Sequence, residues 1–140
     1  ELYDFFSSIR APLVVDHMGR PDVTKDPEGP EFQLFLRFMR ENPRVWTKVT
    51  CPERLSVTGP RALEGEQHAY ADVVPFARRV VEEFPDRVLW GTDWPHPNLK
   101  DHMPDDGLLV DFIPQIAATA ELQRKLLVDN PRRLYWPEGA

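Results

Sequence analysis

The sequence repeats one unit three times: a short strand-like run, a polar loop and a segment with helical spacing. The runs lie at residues 12–16, 45–50 and 87–92. The first is apolar at consecutive positions, which is typical of a parallel strand covered on both faces. Because parallel strands need crossover connections, and these are right-handed, the pattern predicts an α/β fold with three parallel strands in series.

Apolar residues at helical spacing predict helices near residues 31–41, 69–84 and 108–117. A last helix is expected to begin after Thr119, a good N-cap, and to end near Asp129, where Asn130 and Pro131 follow. Residues 2–9 also have helical spacing and predict the last turns of a helix, so we expect the sequence to begin inside a larger fold.

Two architectures fit three consecutive strand–helix units, an open doubly wound sheet and part of an eight-stranded barrel. None of the runs is followed by a glycine-rich phosphate loop, which weakens the nucleotide-binding version. A complete (β/α)8 barrel takes about 250 residues, and this chain has 140. Three units are less than half of a barrel, so the strand pattern alone leaves both an open sheet and a partial TIM-like barrel. In a partial barrel, apolar strand faces would lie partly open to water unless further sequence or another chain covers them.

Composition excludes several classes of function. The net charge is −6 and there is no dense Lys/Arg tract, so nucleic-acid binding and binding to anionic membranes are not expected. No apolar run approaches the roughly 18 residues of a membrane span. With Cys51 as the only cysteine, no internal disulfide can form, which favours a cytoplasmic location.

Ionisable residues follow the strands, where a barrel carries its active site. His17 comes directly after the first run and could donate to a carbonyl, bind a metal, move a proton or simply bond at a strand end. Asp93 follows the third run and could be a general base, a metal ligand or a cap.

Arg20, Lys48 and Arg54 add positive charge near the same strand ends, although the chain is acidic overall. A small anionic substrate would explain this contrast, with scattered surface charge as the alternative. Cys51 lacks the Cys-His signature of a nucleophile. The roles of Lys48, His96 and the long loop at 52–67 stay open.

Four motifs together resemble the 2-pyrone-4,6-dicarboxylate hydrolase family of the amidohydrolase superfamily. They are Asp-His-Met-Gly-Arg-Pro-Asp at 16–22, Cys-Pro-Glu-Arg-Leu at 51–55, Gly-Thr-Asp-Trp-Pro-His-Pro at 91–97 and Asn-Pro-Arg-Arg-Leu-Tyr-Trp at 130–136. A further run at 104–111 also fits, so the resemblance covers nearly the whole chain.

The resemblance implies a lactone hydrolase with no cofactor and no metal, which opens the ring of 2-pyrone-4,6-dicarboxylate to 4-oxalomesaconate during breakdown of lignin-derived aromatics. By resemblance, residues 1–140 are the C-terminal part of a single barrel domain and contain its sixth, seventh and eighth strands. Asp93 would be the general base on water and His17 the donor to the lactone carbonyl. Arg54 would hold a substrate carboxylate, with Arg20 as a further anion contact.

Two features depart from the family. The His-x-His pair of the first barrel strand is not in this chain, and residues 61–67 resemble an insertion in the long loop. Two other interpretations therefore stay open. One is a metal-dependent amidohydrolase or decarboxylase with Zn or Mn bound near Asp93 and His17. The other is a non-catalytic fragment that associates with a partner chain.

Overall fold

The three predicted runs form one parallel sheet. In a computed structural model, which describes residues 2–60, 68–99 and 103–139, the strands are β1 (Leu13–Val15), β2 (Val45–Val49) and β3 (Val88–Trp90). They lie in the order β1-β2-β3, with Val15 opposite Thr47 and Val49 opposite Trp90. The parallel register brings the carboxyl ends of all three strands to one edge of the sheet.

The helices lie close to where the sequence predicts them. Residues Leu2–Ser8 form α1, Pro30–Glu41 form α2, and a short α3 at Pro52–Leu55 begins the long loop. A 3-10 turn at Ala71–Val73 leads into α4 at Val74–Glu83. The helix predicted at 108–117 is two short ones, α5 at Asp106–Asp111 and α6 at Ile113–Ile116, because Pro114 cannot continue the hydrogen bonding of α5.

The C-terminal helix corrects one prediction, since Asn130 and Pro131 do not end it. Residues Ala120–Arg124 form α7, Lys125–Asp129 form a π-helical turn, and Asn130–Tyr135 form α8. Proline has no backbone N–H to donate. The wider π turn places Pro131 in the first turn of α8, where the helix needs no N–H donor at that position. The Asn130 side chain instead donates to the carbonyls of Pro85 and Val88, both at 2.8 Å.

The core lies between the strands and the helices that follow them. Buried apolar side chains from α2, α4 and α6 and from β2 and β3 meet there, among them Leu36, Met39, Val45, Val49, Val80, Val81, Val88 and Ile116. No helix in the described part of the chain is long and apolar enough to cross a membrane.

Candidate active site

Three polar side chains meet beyond the carboxyl ends of the strands. One ligand-type atom from each of His17, Cys51 and Asp93 lies within 4.8 Å of the other two. All three residues have left-handed backbone conformations, with φ of 54°, 67° and 65°. This conformation is uncommon for residues other than glycine and tends to occur at functional sites, so its presence in all three marks this edge as a candidate site.

Arg54, on α3, lies at the centre of this cluster. Its Nη2 is 2.7 Å from Asp93 Oδ2 and 3.3 Å from His17 Nε2, and its Nε is 2.7 Å from Cys51 Sγ. Its Nη1 donates to the carbonyl of Pro97 at 3.2 Å. The side chains of Arg54, His17 and Asp93 are 13–19% exposed, so their charges interact in a partly water-excluded site.

Both nitrogens of the His17 ring have polar neighbours, Thr50 at Nδ1 and the Arg54–Asp93 pair at Nε2. Its Nδ1 lies 2.6 Å from the hydroxyl of Thr50, which is itself buried. Its Nε2 faces Asp93, 3.7 Å from Oδ1. When Thr50 donates to Nδ1, the neutral ring carries its proton on Nε2 and can present it to an oxygen in the site. In the other tautomer Nδ1 donates to Thr50 and Nε2 accepts from Arg54.

Cys51 is a buried thiol. Burial outweighs the hydrogen bond from Arg54 and raises the pKa of Cys51 to about 11. At neutral pH the group is therefore protonated, and a thiol is neither the nucleophile nor the metal ligand that a thiolate is. The structure thus gives no support for Cys51 as a nucleophile.

The fit of a metal to this cluster is poor. His17, Cys51 and Asp93 are suitable ligand types, but the Arg54 guanidinium contacts all three of them. A divalent cation would have to displace that guanidinium or lie against a second positive charge. Arginine keeps its charge at all ordinary pH values, so deprotonation cannot relieve the conflict.

Of the predicted site residues, the structure brings together His17, Arg54 and Asp93 but not Arg20. A cavity of about 420 Å³ opens beside His17 and Asp93, and Lys48 also lines it, paired with Asp16 at 2.8 Å. Arg20 lines a different cavity of about 530 Å³, between the loop after β1 and the phenylalanines of α2 and α4. Its role as an anion contact stays a prediction.

Behind the site lies a buried polar pair that the sequence does not reveal. Glu53 and His96 are 8% and 3% exposed, and His96 Nδ1 lies 3.4 Å from Glu53 Oε1. Burial raises the pKa of Glu53, against the opposing contact with His96. Both residues fall within the quoted motifs, but nothing in their local sequence indicates burial.

Comparison with known proteins identifies the family. The profile of the amidohydrolase family aligns with residues 1–136. The chain belongs to the amidohydrolase family. The four motifs lie within that match, so the resemblance predicted from them is confirmed at the level of the family.

Two individual members of the family are similar to this chain in sequence. The chain is 80% identical over 138 residues to a 2-pyrone-4,6-dicarboxylate hydrolase of Comamonas testosteroni, covering 99% of this chain and 45% of that protein. It is 40% identical to a 4-sulfomuconolactone hydrolase of Hydrogenophaga intermedia, covering 96% of this chain and 42% of that protein. The amidohydrolase chain therefore spans less than half the length of these relatives.

A solved structure confirms the fold. It is a probable 2-pyrone-4,6-dicarboxylic acid hydrolase from Acinetobacter baumannii with citric acid bound, 26% identical to this chain, with a TM-score of 0.73. The match covers 96% of this chain and 47% of that one. The α/β prediction thus holds, and the three-stranded sheet is consistent with part of a larger amidohydrolase fold.

Proposed function

We propose that this chain forms part of a lactone hydrolase that opens 2-pyrone-4,6-dicarboxylate to 4-oxalomesaconate. The observation that carries the proposal is the Asp93–Arg54–His17 cluster, which combines a carboxylate, a fixed cation and an imidazole in one partly enclosed site. Its support is the 80% identity to a hydrolase of that substrate and the 40% identity to a second lactone hydrolase.

The cluster has the groups that this reaction needs. Asp93 takes a proton from water, whose oxygen attacks the lactone carbonyl carbon. His17 donates to the carbonyl oxygen as negative charge develops there. The ring C–O bond then breaks and the departing oxygen takes the proton from Asp93, which leaves a carboxylic acid and an enol and restores the Asp93 carboxylate. Arg54 is placed to pair with a substrate carboxylate, since a guanidinium fork suits that group.

We further propose that the chain is the C-terminal part of one (β/α)8 domain, with β1, β2 and β3 as its sixth, seventh and eighth strands. The parallel order and the share of the relatives that is covered support this placement. The remaining strands, including the His-x-His strand of the family, would come from further sequence or from another chain. Cys51 is buried and forms no disulfide within the described residues, which is compatible with a cytoplasmic location.

The test is a chimera in which this chain replaces the matched 138-residue segment of the Comamonas testosteroni relative. The proposal expects the chimera to hydrolyse 2-pyrone-4,6-dicarboxylate, followed by loss of the pyrone absorbance, with turnover near that of the parent. A folded chimera without activity would contradict it. In that case 4-sulfomuconolactone is the next substrate to assay, because a second relative acts on it.

Arg54→Met in the chimera is expected to lower kcat/KM about tenfold to a hundredfold, mainly through KM, because one charged hydrogen bond contributes roughly 1.5–3 kcal/mol. Arg54→Lys keeps the charge without the fork and is the matched control, with an intermediate effect expected. Steady-state kinetics measures both. Unchanged kcat and KM in the methionine variant would remove Arg54 from the binding site.

A metal-dependent hydrolase is the second candidate, favoured by the three ligand-type atoms of His17, Cys51 and Asp93. Because the Arg54 guanidinium contacts all three residues, we expect that no metal ion binds there. Dialysis of the chimera against EDTA should then leave turnover unchanged. Elemental analysis should find Zn and Mn far below the roughly one equivalent per chain of a loaded site. Loss of activity on chelation, restored by Zn or Mn, would favour the metal-dependent candidate instead.

Asp72 gives a prediction for stability, because it holds the segment that follows α3. Its carboxylate accepts hydrogen bonds from the Ser56 hydroxyl and from the backbone of Val57 and Thr58. Burial opposes ionisation, but these bonds outweigh it and lower the pKa of Asp72 below 3.8. We expect Asp72→Asn to reduce the unfolding free energy of the chimera by roughly 1–2 kcal/mol at pH 7.

The pH dependence of that loss has a definite sign. A carboxylate whose pKa is lower in the folded state stabilises the protein above its unfolded pKa and loses that contribution as pH falls through the folded value. The difference between parent and Asp72→Asn in urea unfolding should therefore shrink below pH 3.8. A difference that is constant with pH would show that these hydrogen bonds do not depend on the charge.

A further inference from the structure

We infer that Glu53 and His96 are positioning residues, a buried pair that holds Arg54 against Asp93. The inference rests on the function proposed above. The side chains of Glu53 and His96 are 0% and 1% exposed, and their nearest polar atoms lie 3.4 Å apart. Both residues are therefore shielded from substrate and water, so any effect they have on the reaction acts through their neighbours.

The pair connects the segment that carries Arg54 with the segment that carries Asp93. Glu53 directly precedes Arg54 on α3, while His96 lies three residues after Asp93 in the loop after β3. The backbone N–H of His96 also donates to the carbonyl of Asp93 at 2.8 Å. A shift of His96 relative to Glu53 would thus change the 2.7 Å contact between Arg54 and Asp93.

A third segment approaches His96 from the opposite side. The Nε2 of His96 lies 3.3 Å from a carboxylate oxygen of Asp106, the first residue of α5. His96 is therefore held between α3 and α5, while its own loop carries Asp93. His96 also has a left-handed backbone conformation, with φ of 56°.

A contribution to folding stability does not explain why Glu53 and His96 are polar and buried. Glu53 Oε2 and His96 Nε2 have no hydrogen-bond partner among the described residues, and the Tyr70 hydroxyl is also buried without one. The 3.3 Å approach of His96 to Asp106 lacks hydrogen-bond geometry. A partly satisfied buried network is less stable than apolar packing of the same volume, so a role in holding the site explains the pair better than a role in folding.

The experiment uses Glu53→Leu, His96→Leu and the double variant in the chimera. Misplaced catalytic groups can lower turnover by about a hundredfold, so we expect each leucine variant to lose tenfold to a hundredfold in kcat with little change in KM. Because the two residues act as one unit, the double variant should lose no more than either single variant. Glu53→Gln keeps an oxygen that can accept from the His96 ring and should retain most of the turnover.

Asn130→Ala is the matched control. Asn130 is also a buried polar residue, but it bonds to carbonyls next to the amino end of β3. Its loss should lower the melting temperature and leave kcat unchanged. Turnover of Glu53→Leu within about twofold of the parent, or losses that multiply in the double variant, would overturn the inference. Failure of both single leucine variants to fold would overturn it too, since the pair would then be a folding requirement.

A second readout separates this inference from the proposed function. If the parent chimera hydrolyses no lactone, the proposed function fails, and the positioning is then measured directly through the guanidinium N–H signals of Arg54 in nitrogen-15 NMR. Contacts with Cys51, Pro97 and Asp93 should slow exchange of those protons in the parent and in Asn130→Ala. Fast exchange in Glu53→Leu would support the inference, and slow exchange would overturn it.

Discussion

Asp93→Asn in the chimera is expected to reduce turnover about a hundredfold to ten-thousandfold, the usual contribution of a positioned general base. An amide cannot take the proton from water, although its oxygen can still accept a hydrogen bond from Arg54. The fold should persist, because asparagine tolerates the left-handed conformation that Asp93 adopts, with φ of 65°. Pyrone absorbance measures the turnover, and circular dichroism with thermal unfolding checks the fold.

Asp86→Asn is the control for that prediction. Asp86 precedes the other end of β3 and pairs with Lys125 at 3.1 Å, so its substitution changes the same charge far from the cluster. It should leave turnover within about a factor of two, as surface ion pairs contribute little. Near-normal turnover in Asp93→Asn would remove Asp93 from the proposed mechanism.

The sequence predicts the sheet and most helices because each depends on local pattern. Apolar runs and helical spacing locate all three strands and α2 within about two residues, which is the usual uncertainty at element ends. The prediction fails at Asn130, where local chemistry favours an end to the helix. There the side chain finds two carbonyl partners 42 and 45 residues away, and the helix continues.

The site is partly predictable for a related reason. His17 and Asp93 could be found because parallel strands bring their carboxyl ends to one edge, and Arg54 through its motif. The position of Arg54 between them could not, because it depends on how α3 packs beside two loops. The position of Arg20 could not be predicted either, because Arg20 is three residues from His17 in sequence yet lines a separate cavity.

Burial of the strands differs from expectation in part. The sequence predicts strand faces that lie partly open to water, and the three residues of β1 are indeed only half-buried. Val45, Val88 and Leu89, in contrast, are at most 3% exposed. Exposed apolar side chains lie, among other places, on α1 and at the C-terminal end, where Leu2, Phe5, Tyr135 and Trp136 are 51–66% exposed. Local helices thus cover β2 and β3, whereas β1, α1 and the C-terminal end keep partly or largely exposed apolar side chains.

Residues 1–140 expressed alone are expected to associate and to show no hydrolase activity. In the described sheet β1 and β3 each pair on one side only, which leaves two edges open to other strands. The exposed aromatic residues at both ends of the chain add apolar surface that favours association. Mass should therefore exceed that of a monomer in light scattering.

The loss of activity has a separate cause. His17, Arg54 and Asp93 could all keep their places in the isolated chain, yet the family's first-strand histidines, which complete the carbonyl site, are not in it. Removing even one donor to a developing oxyanion costs about a hundredfold or more in rate. Adding the remaining segment of the Comamonas testosteroni relative as a second polypeptide should restore part of the activity if the two pieces assemble. A stable, active monomer of the 140 residues would show instead that this chain carries a complete site.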